Sequence, residues 1–137
     1  DAGARCDPAW VVEAGYTAEG GAAAMRRLLA LPEAARPSAV FAATLVSAAG
    51  ALRTLHEHGI AVPETMSLVA LHDSVVAELL FPPLTTVAMP TEAMGQEGAV
   101  ALIGAISGAP LPPSRVLAPL GLVLRASTAE HRRGHRT

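Results

Sequence analysis

The chain has 137 residues, enough for one domain with a substantial core, and 51% of them are hydrophobic while only 3% are aromatic. A formal net charge of −2 leaves no electrostatic footprint for nucleic acid or an anionic membrane, and no apolar run is long enough to span a bilayer. The single cysteine, Cys6, has no internal disulfide partner, which fits a reducing cytoplasm.

The first residues, DAGARCDPAW, carry neither an initiator Met nor a charged-then-apolar export pattern, and read as the middle of a longer protein. Trp10–Ala14 is a short candidate strand, with Trp10 as a core or strand-end anchor. Thr17 suits an N-cap for a helix from Ala18 to about Leu31, whose Met25, Leu28 and Leu29 recur at helical spacing. Pro32 and Pro37 bound the following loop. Ala39–Ala43 is apolar without alternation, the pattern of a strand covered on both faces. Thr44 suits the cap of the next helix, about Leu45 to His58. There Leu45, Ala48, Ala49, Leu52 and Leu55 form one stripe and Gly59 suits the position past the end. Met66–Leu71 is a second buried strand, and Ser74–Leu80 gives one or two helical turns with Asp73 as their cap. Leu84–Ala88 is a third strand and Thr91–Ser107 a long helix. The APLPP segment, Ala109–Pro113, forms a stiff link; Arg115–Ala118 and Leu120–Arg125 close as strands. The basic tail after Thr128 has no apolar stripe and reads as disordered. This alternation predicts βαβ units and a parallel α/β sheet, whose ligands bind where the strands end.

No residue pattern for catalysis stands out. There is no nucleophile elbow, phosphate loop or zinc-protease helix motif, and no paired carboxylates end two strands. His56 and His58 lie two apart on a helix and face apart, and His131 and His135 fall in the tail, so no metal site is expected. The expectation is a binding protein without cofactor, not an enzyme.

Several segments together resemble the effector-binding region of LacI/GalR-type transcription regulators: FAATLVSAAGALRTLHEHGIAVPETMSLVALHDS, then FPPLTTVAMPTEAMGQEGAVALI, then LVLRASTA. The resemblance covers roughly Gly3 to Ala129. It implies a three-layer Rossmann-like parallel sheet with flanking helices, of the periplasmic-binding-protein-like type I kind. Residues 1–90 and 114–129 would form the C-terminal effector-binding subdomain. Residues 91–113 would be a helix and return link belonging to the N-terminal subdomain, and 130–137 a tail. The helix-turn-helix head and most of the N-terminal subdomain would lie outside the chain. The implied partners are a small-molecule effector in the cleft between subdomains, DNA through that head, and a second copy in a homodimer. A solute-binding receptor of a transport system shares the fold, and a truncated regulator without ligand is a further alternative.

The resemblance also nominates the effector-binding residues Tyr16, Thr44, His72 and Met89. Where relatives often carry Asn-Asp after the first buried strand, this chain has Thr44-Leu45; Thr44 keeps one hydroxyl, which an N-cap can equally use. Where relatives often carry Asp-Asp after the second, it has His72-Asp73; an imidazole offers one donor and one acceptor in place of a carboxylate's two acceptor oxygens. Tyr16 stands where relatives place an aromatic against the effector, or is a turn residue. Met89 replaces a frequent Gln and packs rather than hydrogen-bonds. These changes imply a less polar pocket than a sugar site. Arg125, in LRAST, reads as a structural residue paired near the last strand.

Overall fold

A computed structural model describes residues 6–110 and 114–130. The elements are α1 (Ala18–Leu29), β1 (Ala39–Ala42), α2 (Leu45–Glu57), β2 (Ser67–Leu71), α3 (Val75–Leu79), β3 (Thr85–Ala88), α4 (Thr91–Ile106) and β4 (Gly121–Val123). The sheet order is β1-β2-β3-β4, with β1, β2 and β3 parallel and β4 antiparallel to β3, so the expected parallel sheet carries one reversed edge strand.

Local signals account for these elements. Thr17 caps α1 by accepting from the Gly20 amide at 3.0 Å, and Thr44 caps α2 by accepting from Ser47 N at 3.1 Å. Gly59, at φ +67°, ends α2 in the left-handed conformation that a glycine adopts without a Cβ penalty. The predicted stripes of α1 and α2 are the core: Met25, Leu28, Ala48, Leu52 and Leu55 are buried with Leu68 and Ala70 of β2. Fully burying a side chain the size of Leu55 or Leu68 contributes about 1.5–3 kcal/mol. The two helices pack so closely that a Cβ on Gly21 would overlap the backbone of Ser47, and one on Gly50 the backbone of Ala18.

Strand register sorts the two faces of the sheet. Val40 pairs with Leu68 and Ala42 with Ala70, and these point toward α2. Phe41 pairs with Val69 on the opposite face, where Phe41 is 58% exposed and Val69 and Leu71 are only half-buried. One face of β1 and β2 is therefore covered by helices and the other is open.

Four expectations are corrected. Trp10–Ala14 is not a strand: Pro8–Trp10 is a 3-10 turn, capped by Asp7, which accepts from Ala9 N at 2.9 Å, and Val11–Ala14 has no ladder partner. A strand exists only where a neighbour completes its hydrogen bonds, and none of the described residues does so for this stretch. Trp10 is nonetheless anchored, its Nε1 donating to Ala35 O at 2.8 Å. Arg115–Ala118 is irregular, and the last strand shrinks from Leu120–Arg125 to Gly121–Val123. Asp73 does not cap α3; Ser74 does, accepting from Val76 N at 3.3 Å, while the Asp73 carboxylate turns to Arg125. Part of the expected Ala109–Pro113 link and the tail from residue 131 lie outside the described residues, as do His131 and His135.

Helix α4 has the predicted span almost to the residue, yet none of its residues is buried. Val100, Leu102, Ile103 and Ile106 all face solvent.

Candidate functional site

The parallel strands end at one rim of the sheet. β1 runs into Thr44, β2 into His72 and β3 into Met89, each one or two residues past its strand. Gly15 and Tyr16 end the unpaired Val11–Ala14 stretch at the same rim. Ala14 lies against Gly20 in the first turn of α1, and Gly21 lies against Ser47 in the first turn of α2. This is the edge of an α/β sheet at which ligands bind.

Thr44 and His72 line one cavity of about 460 Å³, with Ser74 and the apolar side chains of Leu45, Val46 and Val76. The two strand-end residues that a ligand cleft requires to be close are thus neighbours. The cavity's surface is almost entirely apolar. Its hydrogen-bonding capacity is small as well. Ser47 Oγ donates to Thr44 O at 3.0 Å, so the 2.8 Å contact between the two hydroxyls uses the Thr44 proton, and Thr44 Oγ1 also accepts from Ser47 N. Thr44 therefore works as a helix cap with at most one acceptor site to spare. The His72 ring makes no hydrogen bond among the described residues, and the Ser74 hydroxyl retains its proton.

His72 has φ +74°, a left-handed conformation that a non-glycine residue adopts at a cost. Two contacts hold it there. Its own N–H donates to Val87 O at 3.0 Å, and the adjacent Asp73 is clamped. Asp73 Oδ1 accepts from Arg125 Nη1 at 2.7 Å and from Thr86 Oγ1 at 2.6 Å. Arg125 also donates to Leu84 O at 3.0 Å and to Glu78 Oε1 at 3.1 Å. The guanidinium holds the Asp73 carboxyl below the usual carboxylate range, first through its hydrogen bond and then with help from Thr86, and Asp73 in turn raises Arg125. Arg125 is the structural residue that its sequence position suggested. Its partner was missed, because Asp73 beside a helix start looks like a cap; the available signal was a lone charged residue inside an apolar strand segment that had to find a counter-charge.

The same hub joins the segments that carried the resemblance. Thr85 N donates to Ser127 Oγ at 2.8 Å, Ser127 Oγ donates to Leu68 O at 2.6 Å, and Leu68 N donates to Ser127 O at 2.9 Å. PPLTTV and LRAST are thus one hydrogen-bonded latch across β2 and β3. No buried side-chain polar atom lacks a partner among the described residues.

Tyr16 and Met89 stand apart from this cavity. Tyr16 is exposed and lines a separate groove of about 830 Å³, between Trp10–Tyr16 and β1, floored by α1 and α2. Met89 is half-buried at the point where the chain leaves the sheet and lines neither space. Among the described residues no cluster of His, Cys, Asp and Glu has the arrangement to hold a metal ion, and no helix is long and apolar enough to cross a membrane.

Residues 1–128 match the family model described as a periplasmic binding protein-like domain. The chain is 40% identical over 126 residues to the HTH-type transcriptional regulator CelR of Thermobifida fusca, a match covering 92% of this chain and 36% of that protein. Among solved structures it resembles a LacI family transcriptional regulator from Mycobacterium smegmatis (34% identity, TM-score 0.81, 93% of this chain and 48% of that one). It also resembles a transcriptional regulator CelR–cellobiose complex (41% identity, TM-score 0.82, 92% and 38%). The chain spans about a third of the length of the curated relative it matches.

Proposed function

The chain belongs to the periplasmic-binding-protein-like domain family, as the effector-binding region of a LacI-type regulator, and from that premise we propose that it forms one wall of a small-molecule cleft whose occupancy modulates DNA binding by another part of the same protein. The observation that carries this reading is the shared cavity of Thr44 and His72 at the carboxyl rim of β1 and β2. Residues 91–113 then belong to the facing subdomain, which accounts for a 16-residue helix with no buried residue of its own. Ligand occupancy shifts the equilibrium between two arrangements of the subdomains by its difference in affinity for them. DNA contact falls to a head outside these residues, which fits a net charge of −2. Acting on DNA, the protein works in the cytoplasm, as a homodimer.

The effector is less polar than cellobiose, with which the similar CelR structure forms its complex. Each hydroxyl of a polyol taken from water needs a partner, or costs about 1–3 kcal/mol. Here Thr44 has spent its donor, and among the described side chains along the cavity His72 and Ser74 retain free donors. An apolar body with one or two polar groups fits that supply. His72 and Thr44 contact it directly, while Tyr16, on a separate groove, and Met89, which lines neither space, stand outside this cavity.

The test is calorimetry on the full-length regulator against a panel of sugars, nucleosides and less polar metabolites, repeated with His72→Ala. An apolar-bodied ligand whose affinity falls at least tenfold in the variant is expected. Preferential binding of an oligosaccharide, indifferent to His72, would overturn the reading. A gel-shift assay with the 137 residues alone should show no sequence-specific DNA binding.

A further inference from the structure

The cavity shared by Thr44 and His72 has two walls of unequal firmness. Leu45 and Val46 belong to the first turn of α2, which is seated in the core by Leu45, Ser47 and Ala48 and abuts α1 at Gly21. His72, Ser74 and Val76 belong to the stretch that runs from the end of β2 into α3. That stretch has little apolar hold. In α3 only Ala77 is buried, while Val75 and Leu79 are largely exposed. Its backbone is tied to β3 and the loop before it at two points, His72 N to Val87 O at 3.0 Å and Leu84 N to Ala77 O at 2.8 Å. Segments with so few buried contacts open locally at low cost.

Polar side chains supply the rest of the hold, and they converge on one residue. Arg125 Nη1 donates to Asp73 Oδ1 at 2.7 Å, just before α3, and Arg125 Nη2 donates to Glu78 Oε1 at 3.1 Å, in its last turn. The guanidinium therefore spans α3 from one end to the other. Arg125 is itself fixed. Its Nη1 also reaches Leu84 O at 3.0 Å and Thr86 Oγ1 at 3.1 Å, and its main-chain N donates to Thr85 Oγ1 at 3.0 Å. A planar fork of donors can hold two carboxylates and a carbonyl in set directions, whereas a lysine ammonium has all its donors on one atom. Arg125, Asp73 and Glu78 lie outside the lining of the cavity, but the side chain they steer lies within it. His72 is held at φ +74°, and a strained conformation persists only where its surroundings over-determine it.

We propose that Arg125 is a positioning residue for the effector: by bridging Asp73 and Glu78 it keeps His72 in its left-handed conformation and sets the spacing between the α3 wall and the first turn of α2. This role presupposes that the Thr44–His72 cavity is the effector site. Arg125 touches no ligand. It keeps the binding-competent arrangement of His72 populated, and affinity falls by whatever fraction of that arrangement is lost.

Arg125→Lys in the full-length regulator tests this, because it keeps the charge and removes the fork. Two readouts separate positioning from bulk stability. In hydrogen exchange without ligand, amides of residues 72–80 are expected to exchange about tenfold faster in the variant, with α2 unchanged. Binding of the dye anilinonaphthalene sulfonate, an apolar body with one anionic group, is followed by fluorescence. It is expected to weaken with His72→Ala, and by about fivefold with Arg125→Lys. The two together should weaken it no more than His72→Ala alone, since both act through one side chain. Glu78→Gln, at the exposed end of the bridge, leaves the core untouched and should weaken it about twofold. Equal acceleration of residues 72–80 and α2, or of neither, overturns the proposal. So does an equal loss of dye binding from Arg125→Lys with and without His72. Dye binding indifferent to His72→Ala, beside the expected exchange result, refutes the cavity as the effector site and takes the positioning role with it.

Discussion

Replacing Arg125 with alanine is the sharpest test of how the rim is held. The Arg125 side chain is 11% exposed and its partner Asp73 is 29% exposed, so the pair is mostly withdrawn from water. Removing one member of a buried pair costs about 3–5 kcal/mol, because the other charge stays behind without a partner. Asp73 keeps nearly a third of its surface in water, which reduces the expected loss to about 2–3 kcal/mol. The Glu78 contact is largely exposed and adds little. At a typical m-value of about 1–3 kcal/mol/M the urea midpoint at pH 7 should fall by about 0.7–3 M. The pH dependence gives a second readout. Arg125 depresses the Asp73 pKa in the folded state. Its stabilisation is therefore complete above the unfolded aspartate value of about 3.9, and disappears as pH falls through the lower folded value. Arg125→Ala should flatten that acid limb. A midpoint within experimental error of the unaltered chain, with an unchanged acid limb, would refute the clamp.

Other perturbations have equally direct readouts. Gly50→Ala should destabilise by about 1–3 kcal/mol in urea titration, because its Cβ overlaps the Ala18 backbone and two helices must part to admit it. His72→Gly should stabilise by about 1 kcal/mol by releasing a left-handed non-glycine residue, while weakening effector binding in calorimetry. Thr44→Val should cost about 0.5–2 kcal/mol through loss of the α2 cap, and Thr44→Ser should restore it. The 137-residue chain should self-associate through α4 in light scattering, and Leu102→Glu with Ile103→Glu should suppress this, since exposed apolar side chains including Val100, Leu102, Ile103 and Ile106 await cover there.

The helices and inner strands were legible to within a residue or two because their signals are local. A cap, a stripe and a terminal glycine define α2 without reference to anything else. Trp10–Ala14 failed for the opposite reason. Its residues favour a strand, but a strand needs a neighbour, and none lies beside it here. Closing strands failed likewise: β4 survives only where Gly121–Val123 can reach Thr86–Ala88. At the rim, the strand-end placement of Thr44 and His72 was legible from where the apolar runs stop. Asp73 was misread because capping is a local rule, whereas its partner Arg125 lies 52 residues away and only the folded chain brings the two charges together.

The excursion that carries α4 bears on how, under the proposed function, a ligand at this rim acts at a distance. The chain leaves the sheet after Ala88 and returns at Gly121, and these two residues are register partners in the β3–β4 ladder. Leu120 N donates to Ala88 O at 2.8 Å, and Thr91 N to Met89 O at 2.8 Å, so exit and return are tied side by side. Helix α4 is thus joined to the sheet through two adjacent strands. The latch of Thr85, Ser127 and Leu68 fixes one side of that junction to the sheet, and the Arg125–Asp73 clamp fixes the His72 loop to the same strands. Under the proposed function, a body packed on α4 turns about this tie while Thr44 and His72 stay fixed to the sheet. A ligand that touches both can favour one rotation only through contacts it makes there and loses in the other.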